Sequence, residues 1–391
     1  MQTFDWIVVG NGLTGAALSY ELARHGCSVL LLEQSPDPAS ATRFSYGGIP
    51  YWSGSTELLR QLCHEGRARH QAIPEETGVS TELRELDLLL TVAPDQDPQV
   101  VAQQYAAVET PPAPITVQDA IEREPQLQPD AIAGALWVRH GHVHPTALVK
   151  AYNAGLQAAG GHIVIATVTG LVRMGNRVTG VTTPTQAYAA GNVAIAAGSY
   201  TRSLLQTTNI HVPVYFTHAE IIETQPIETQ LRALVMPANL SRSGMENNAS
   251  QPEQDPLWDE PNHELMPPIL DTGFIQFCDR TVRIGQISRI NTAFAPKLDA
   301  AAGERQIREG VAPLVPDLAT APGQWWGCQV AFSRDGLPLA GAVPGLTGVH
   351  VFSGFTSPFA LVPAAAVHFA QAATGAESAI MPALVPARFI N

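Results

Sequence analysis

An unbroken apolar run, Ile7-Val8-Val9, stands close to the start of the chain and gives way at once to glycines. Such a run, with no polar alternation, marks a strand buried on both faces, as in a parallel sheet. Ala16 to His25 then sets Ala17, Leu18 and Leu22 on one face, which predicts a helix. Gly26 to Glu33 reads as a turn and a second apolar strand that ends in an acid. Further on, the pattern predicts a helix over 143–160, opened by Pro145. Strands follow over 161–168 and 178–181 with a turn at Gly175-Asn176, and a buried strand over 192–197 ends at Gly198. His211 to Glu223 alternates enough for a strand of a second sheet, and Pro363 to Thr374 reads as a closing helix. Residues 238–268 break the pattern: Asn, Ser, Glu and Pro dominate, with Trp258 and Met266 as isolated apolar positions, so the stretch reads as a long mobile loop or a lid over a pocket.

Composition narrows the class. At 391 residues the chain exceeds one ordinary core and suits two connected domains. Apolar residues make up 45% and charged residues only 15%, below the roughly 25% usual for soluble proteins, so a large interior is expected. The formal charge is -13 and the 22 Lys and Arg nowhere cluster, which argues against nucleic acid or an anionic membrane as partner. No apolar run reaches the roughly 18 residues of a membrane span. The first strand begins too early for a signal peptide. The four cysteines form neither a C-x-x-C pair nor a zinc spacing, so free thiols in a cytoplasmic protein are expected. Oligomeric state is not legible.

The candidate chemistry starts between the first strand and the first helix, where Gly10, Gly12 and Gly15 form G-x-G-x-x-G. Gly10 suits a tight turn, Gly12 a close approach of backbone to a pyrophosphate, and Gly15 close packing of helix on strand. The helix start offers N–H groups and a positive dipole end to phosphates. Glu33 lies 18 positions after Gly15, near the roughly 20 expected of a carboxylate that accepts hydrogen bonds from a ribose diol. A dinucleotide is the expected ligand. After Glu33 the chain runs into a polar, glycine-bearing loop, Pro38 to Pro50, where a typical NAD domain would proceed to its third strand.

This βαβ unit and loop, with Gly141-His-Val-His-Pro145, Val193 to Arg202, Arg334 to Gly341 and Phe352-Ser-Gly354, resemble the D-amino-acid oxidase, glycine oxidase and sarcosine oxidase family of FAD-dependent oxidoreductases. The resemblance covers most of the chain and implies an α/β and α+β architecture: a Rossmann-type FAD-binding domain and a mainly antiparallel-sheet substrate domain. Both would be discontinuous, with 1–85, 140–210 and 325–391 in the first, and 86–139 and 211–324 in the second. Thr281 to Ile287 is then a further strand of the second sheet, and the chain returns to the FAD domain near Trp325. The implied cofactor contacts are Gly10, Gly12, Leu13, Thr14, Gly15, Glu33 and Gln34 for the ADP half. Val168, Ala197 and Gly198 fall beneath the adenosine side. Loop residues Ala41, Thr42, Arg43, Ser45, Gly47, Gly48 and Ile49 continue along the cofactor. Gly354, Phe355, Thr356 and Ser357 lead a helix whose start would face the flavin ring, with Pro358 removing one N–H donor.

For such an enzyme the resemblance implies hydride transfer from a carbon bearing a neutral amine, hydrolysis of the imine, and oxygen as acceptor giving hydrogen peroxide. An arginine normally grips the substrate carboxylate five residues before the Asp-Gly pair; here that position is Val330, and a tyrosine of the preceding strand is absent from Gly273 to Phe277. Arg43, Arg283 and Arg289 are the candidates to act at the flavin or substrate instead, Arg283 as a positive charge near the flavin or a solvent-facing residue, and Arg289 as a carboxylate clamp. Arg334 is expected to brace its turn. Cys328 sits where sarcosine oxidases tether flavin, although non-covalent FAD is the leading expectation. His140, His142 and His144 alternate, yet no carboxylate or cysteine follows at ligand spacing, so no metal is expected. His218 reads as an ordinary partly buried histidine. A small molecule is the only partner expected. Two other readings stay open: an FAD dehydrogenase of a hydroxy acid with a non-oxygen acceptor, and a flavin-binding subunit without catalysis.

Overall fold

The computed structural model describes residues 3–389. The first apolar run becomes the strand Thr3–Val9, near the centre of an eight-stranded sheet. It pairs in parallel with Ala187–Ile195 on one side and Val29–Glu33 on the other, with Val9 opposite Ile195 and Val8 opposite Leu31. Val349–Ser353 and His162–Ile165 extend the parallel part, and Leu339–Ala342 closes one edge antiparallel. The run is continuously apolar because both faces are covered. Trp6, Val8 and Leu31 pack under the helices Leu13–Arg24, Pro145–Ala158 and Pro358–Ala373. Ile7, Val9, Leu30 and Leu32 pack on the opposite side with Leu204, Leu205 and Val343.

The second sheet has nine strands. Gly323–Ser333 forms one edge, followed by Val214–Thr224, Val282–Asn291, Glu264–Gln276, Leu234–Pro237, Arg84–Val92, Gly134–His142 and Gly48–Ile49, while the short Ala113–Ile115 also pairs with Gly134–His142. It is antiparallel except where Leu234–Pro237 runs beside Arg84–Val92. Helices Ala300–Val311 and Pro316–Thr320 cover one face: Ile307, Val311 and Leu318 pack on Ile222, Val282, Ile284 and Ile287. The other face meets the 41–46 segment, where Phe44 stacks on Trp326 at 4.9 Å between ring centroids.

Three expectations change. The chain does not rejoin the first sheet near Trp325: Gly323–Ser333 pairs along its whole length with Val214–Thr224, and the return comes only at Leu339. The strand expected over 161–168 is shorter, His162–Ile165, and a separate strand, Gly170–Met174, supplies the first arm of the Gly175-Asn176 turn. Residues 238–268 are not an uninterrupted loop. They hold the helix Ser241–Ala249, a 3-10 turn at Asp255–Asp259 and the start of Glu264–Gln276. Trp258 is the reason: its buried ring packs among Tyr215, Phe216 and Phe332, and its Nε1 donates to the Ala249 carbonyl at 2.9 Å.

Candidate active site

The glycines are placed by contact. Gly10 has φ of +102°, and a Cβ there would lie 2.7 Å from the Ala196 carbonyl oxygen. A Cβ on Gly15 would overlap the Gly10 carbonyl, so helix and turn can meet this closely only with glycine at both positions. Helix Leu13–Arg24 has no side-chain cap and no acid in its first turn, which leaves first-turn N–H groups for a ligand. Leu13 N–H is not among these: it donates to Thr42 Oγ1 at 3.1 Å and ties the 41–46 segment to the helix start.

A cavity of about 740 Å³ opens there. Of the expected cofactor residues it is lined by Gly10, Gly12, Thr14, Glu33, Gln34, Ala41, Thr42, Val168, Ala197 and Gly198. Leu13 and Gly15 are buried behind its wall. Glu33 is oriented by its backbone neighbours, accepting from Asn11 N–H at 2.7 Å and Ser35 N–H at 3.2 Å. Tyr200 and Gln329 also line the cavity, and no local pattern marks either; Gln329 comes from the second sheet. The open helix start, the glycine turn that no Cβ could share, and an oriented carboxylate at the far side together fit the ADP half of FAD.

The remaining cofactor candidates lie elsewhere. Gly48 and Ile49 form a short strand against Gly141 and His142, and Ile49 is buried. Ser45 and Gly47 lead into it, with the Ser45 hydroxyl accepting from Gly47 N–H at 3.2 Å. Gly354 and Ser357 have positive φ, Phe355 is buried against Phe352, and Thr356 donates its hydroxyl to the Gly336 carbonyl at 2.8 Å. Thr356 and Ser357 line a second cavity of about 490 Å³, as do Leu240, Ser243 and Glu246.

Two of the candidate arginines form a brace. Both guanidinium Nη groups of Arg43 donate to Glu223, each at 2.7 Å. Arg283 donates its Nε to the same carboxylate at 3.1 Å and an Nη to the Ser45 carbonyl, and its guanidinium lies over the Phe277 ring. Burial works to raise the Glu223 carboxyl, but the hydrogen bond from Arg43 and the charge of Arg283 hold it below its ordinary value. Arg283 is 1% exposed, which corrects the solvent-facing alternative. Burial pushes its guanidinium below the usual range.

Arg289 does not reach this side. Its Nε donates to Glu220 at 2.5 Å, and Trp325 Nε1 donates to the other carboxylate oxygen at 3.1 Å. Glu220 sits under Gly303 of the covering helix, on the face that carries Ile222 and Ile287. The expected clamp at Arg289 is therefore corrected: Arg289 stands six positions from Arg283, and the extra residue Gln286 at the register shift between the Ile287 and Gly285 pairs puts it on the opposite face, engaged with Glu220 and away from the 41–46 segment.

Val330 pairs with Thr217, and Cys328 with Ala219, on the face that holds Glu223. Burial pushes the Cys328 thiol up to about 12, so the thiolate needed for a tether is scarce at neutral pH. Arg334 bonds the Tyr215 hydroxyl and the Ser250 carbonyl, consistent with a brace. His140 and His142 are buried acceptors, His140 from Trp52 Nε1 at 3.0 Å and His142 from Arg84 Nε at 3.2 Å, while His144 caps the helix Pro145–Ala158. His218 bonds the Asn291 carbonyl.

The model of the family described as FAD dependent oxidoreductase matches residues 5–372. The chain is 26% identical to a glycine oxidase of Pseudomonas putida over 96% of both chains. It is 30% identical to one chain of the anaerobic glycerol-3-phosphate dehydrogenase of Escherichia coli, over 55% of this chain and 41% of that one. The crystal structure of a glycine oxidase from Geobacillus kaustophilus superposes with a TM-score of 0.82 at 21% identity, covering 100% of both chains. Spanning the nucleotide cavity and the second sheet alike, the family match makes this chain a member of the FAD-dependent oxidoreductases and an enzyme that uses FAD.

Proposed function

We propose that this protein oxidises the carbon–nitrogen bond of a small amino acid or amine by hydride transfer to FAD, with dioxygen as acceptor and hydrogen peroxide as product. The observation that carries the reading is the match to a glycine oxidase over nearly the whole of both chains, which includes the second sheet as well as the widely shared nucleotide unit. In this reading the Gly10–Gly15 turn and Thr14 hold the pyrophosphate, Glu33 the ribose diol, and Val168, Ala197 and Gly198 the adenosine side. The 41–49 segment and Gly354–Ser357 hold the remainder of the cofactor, without a covalent bond to the half-buried Cys328.

Bound FAD supplies a two-electron acceptor for a hydride. The protein contributes position and charge. Arg43, Arg283 and Glu223 together carry one net positive charge where the 41–46 segment meets the second sheet, and mutual pairing fixes their geometry before any ligand arrives. The wall formed by Thr217, Ala219, Cys328 and Val330 offers little polarity, which suits an uncharged amine poised for oxidation. The four cysteines are free, in keeping with a reducing compartment such as the cytoplasm, and among the described residues no helix is long and apolar enough to cross a membrane.

A second reading, a dehydrogenase acting on a hydroxy compound with another acceptor, is favoured by the partial match to the glycerol-3-phosphate dehydrogenase chain. Oxygen uptake separates the two: glycine, sarcosine or a D-amino acid should drive consumption with stoichiometric peroxide. Turnover of hydroxy acids only with an artificial acceptor would favour the second.

A further inference from the structure

Among the arginines near the cleft side of the second sheet, one keeps its fork open. Arg43 and Arg283 share Glu223, Arg289 is held by Glu220 on the far face, and Arg202 and Arg334 are engaged with Asp255. Arg242, on the helix Ser241–Ala249, donates only its Nε, to Glu246 Oε1 at 2.9 Å. Neither of its Nη groups has a hydrogen bond to protein among the described residues.

That helix is laid across the sheet by two anchors. Before it, Asn239 donates to Asp271 of the strand Glu264–Gln276 at 3.2 Å. Within it, Glu246 accepts the Thr217 hydroxyl of the strand Val214–Thr224 at 2.7 Å. Arg242 lies between these anchors in sequence, and Thr217 is the register partner of Val330, the position that lacks the expected arginine. The charge of Arg242 reaches Asp271 and Cys328 strongly enough to counter part of the rise that burial imposes on both. The neighbouring residues Leu240, Ser243 and Glu246 line the 490 Å³ cavity together with Ser333, Thr356 and Ser357. Thr217 fixes Glu246, Glu246 fixes Nε, and the planar guanidinium is left with its two Nη groups oriented and free. That is the arrangement a bidentate carboxylate requires.

We propose that Arg242 binds the carboxylate of the substrate, supplying from the covering helix the contact that Val330 cannot make from the strand. The proposal rests on the amino-acid reading above. Glu246 and Thr217 are its positioning residues, and the substrate class is narrowed to small molecules with a carboxylate on or near the carbon that is oxidised.

The test uses the FAD-loaded protein and acetate as probe, with binding read from perturbation of the flavin spectrum and by calorimetry. Arg242→Met should weaken acetate binding at least about tenfold, and raise KM for the amino acid more than it lowers the limiting rate of anaerobic flavin reduction. Arg242→Lys should recover part of the loss, and Glu246→Gln should lie between wild type and Arg242→Met. An acetate Kd within about twofold of wild type in Arg242→Met overturns the proposal while leaving the amino-acid reading intact. If wild type binds no acetate and no amino acid reduces its flavin, that reading falls and the proposal with it. Should Arg242→Met fail to retain FAD, Arg242→Gln decides by the same criterion.

Discussion

Glu223 balances two guanidinium groups at once, and removing its charge alone is the cleanest probe of the brace. Glu223→Gln keeps the shape but leaves the buried Arg283 uncompensated, so a loss of about 3 kcal/mol is expected, read from the urea midpoint. The pH dependence has a definite sign. The folded carboxyl lies below its ordinary value of 4.5, so its contribution is complete above that pH and fades as pH falls through the lower folded value. The variant should show a shallower acid decline. At this scale the sequence is partly legible. Arg43 stands out within its loop, but its partner lies 180 residues away and nothing local announces it. The placement of Arg289 is not legible: strict alternation would put it on the same face as Arg283, and the register shift opposite Glu220 and Ile221 that reverses it carries no local mark.

At the level of elements, the polar stretch 238–268 departs furthest from its sequence pattern. Its helix buries only Met245 and Ala249, too few apolar positions to announce an amphipathic period. The packing comes from Trp258, which closes the segment on strands distant in sequence. Trp258→Ala should therefore cost about 3–5 kcal/mol, measured by denaturant unfolding. A change within about 0.5 kcal/mol would mean that the segment is not packed as described. The nucleotide unit is legible for the opposite reason: strand, glycine turn, helix and acid all lie within the first 33 residues, where local rules decide the outcome. That the edge strand Gly323–Ser333 belongs to the second sheet rather than the first is not legible, because its pairing with Val214–Thr224 is long-range and carries no local mark.

Across the whole molecule, buried neutral histidines set the acid limit. Burial lowers His140 to about 3 and His70 to about 4, from an ordinary value of 6.5. Between those values the unfolded chain binds more protons than the folded one, so stability falls as pH drops below 6.5. Each such histidine steepens the slope by up to about 1.4 kcal/mol per pH unit. Unfolding free energies at roughly pH 7, 6 and 5 should decline progressively faster, and a flat profile would contradict the burial of these rings. The two-sheet division is legible in outline from the family resemblance, while the order of nine strands in the second sheet depends on contacts that no short segment encodes. The nucleotide cavity depends on the same long-range assembly, since Gln329 of the second sheet lines it together with residues of the first. The most direct measurement is anaerobic mixing of the FAD-loaded protein with a panel of amino acids, amines and hydroxy acids while the flavin band is followed. Bleaching by an amino acid or amine, with formation of the corresponding carbonyl product and ammonia or amine, is the expected result. Bleaching by hydroxy acids alone, or by no member of the panel, would contradict it.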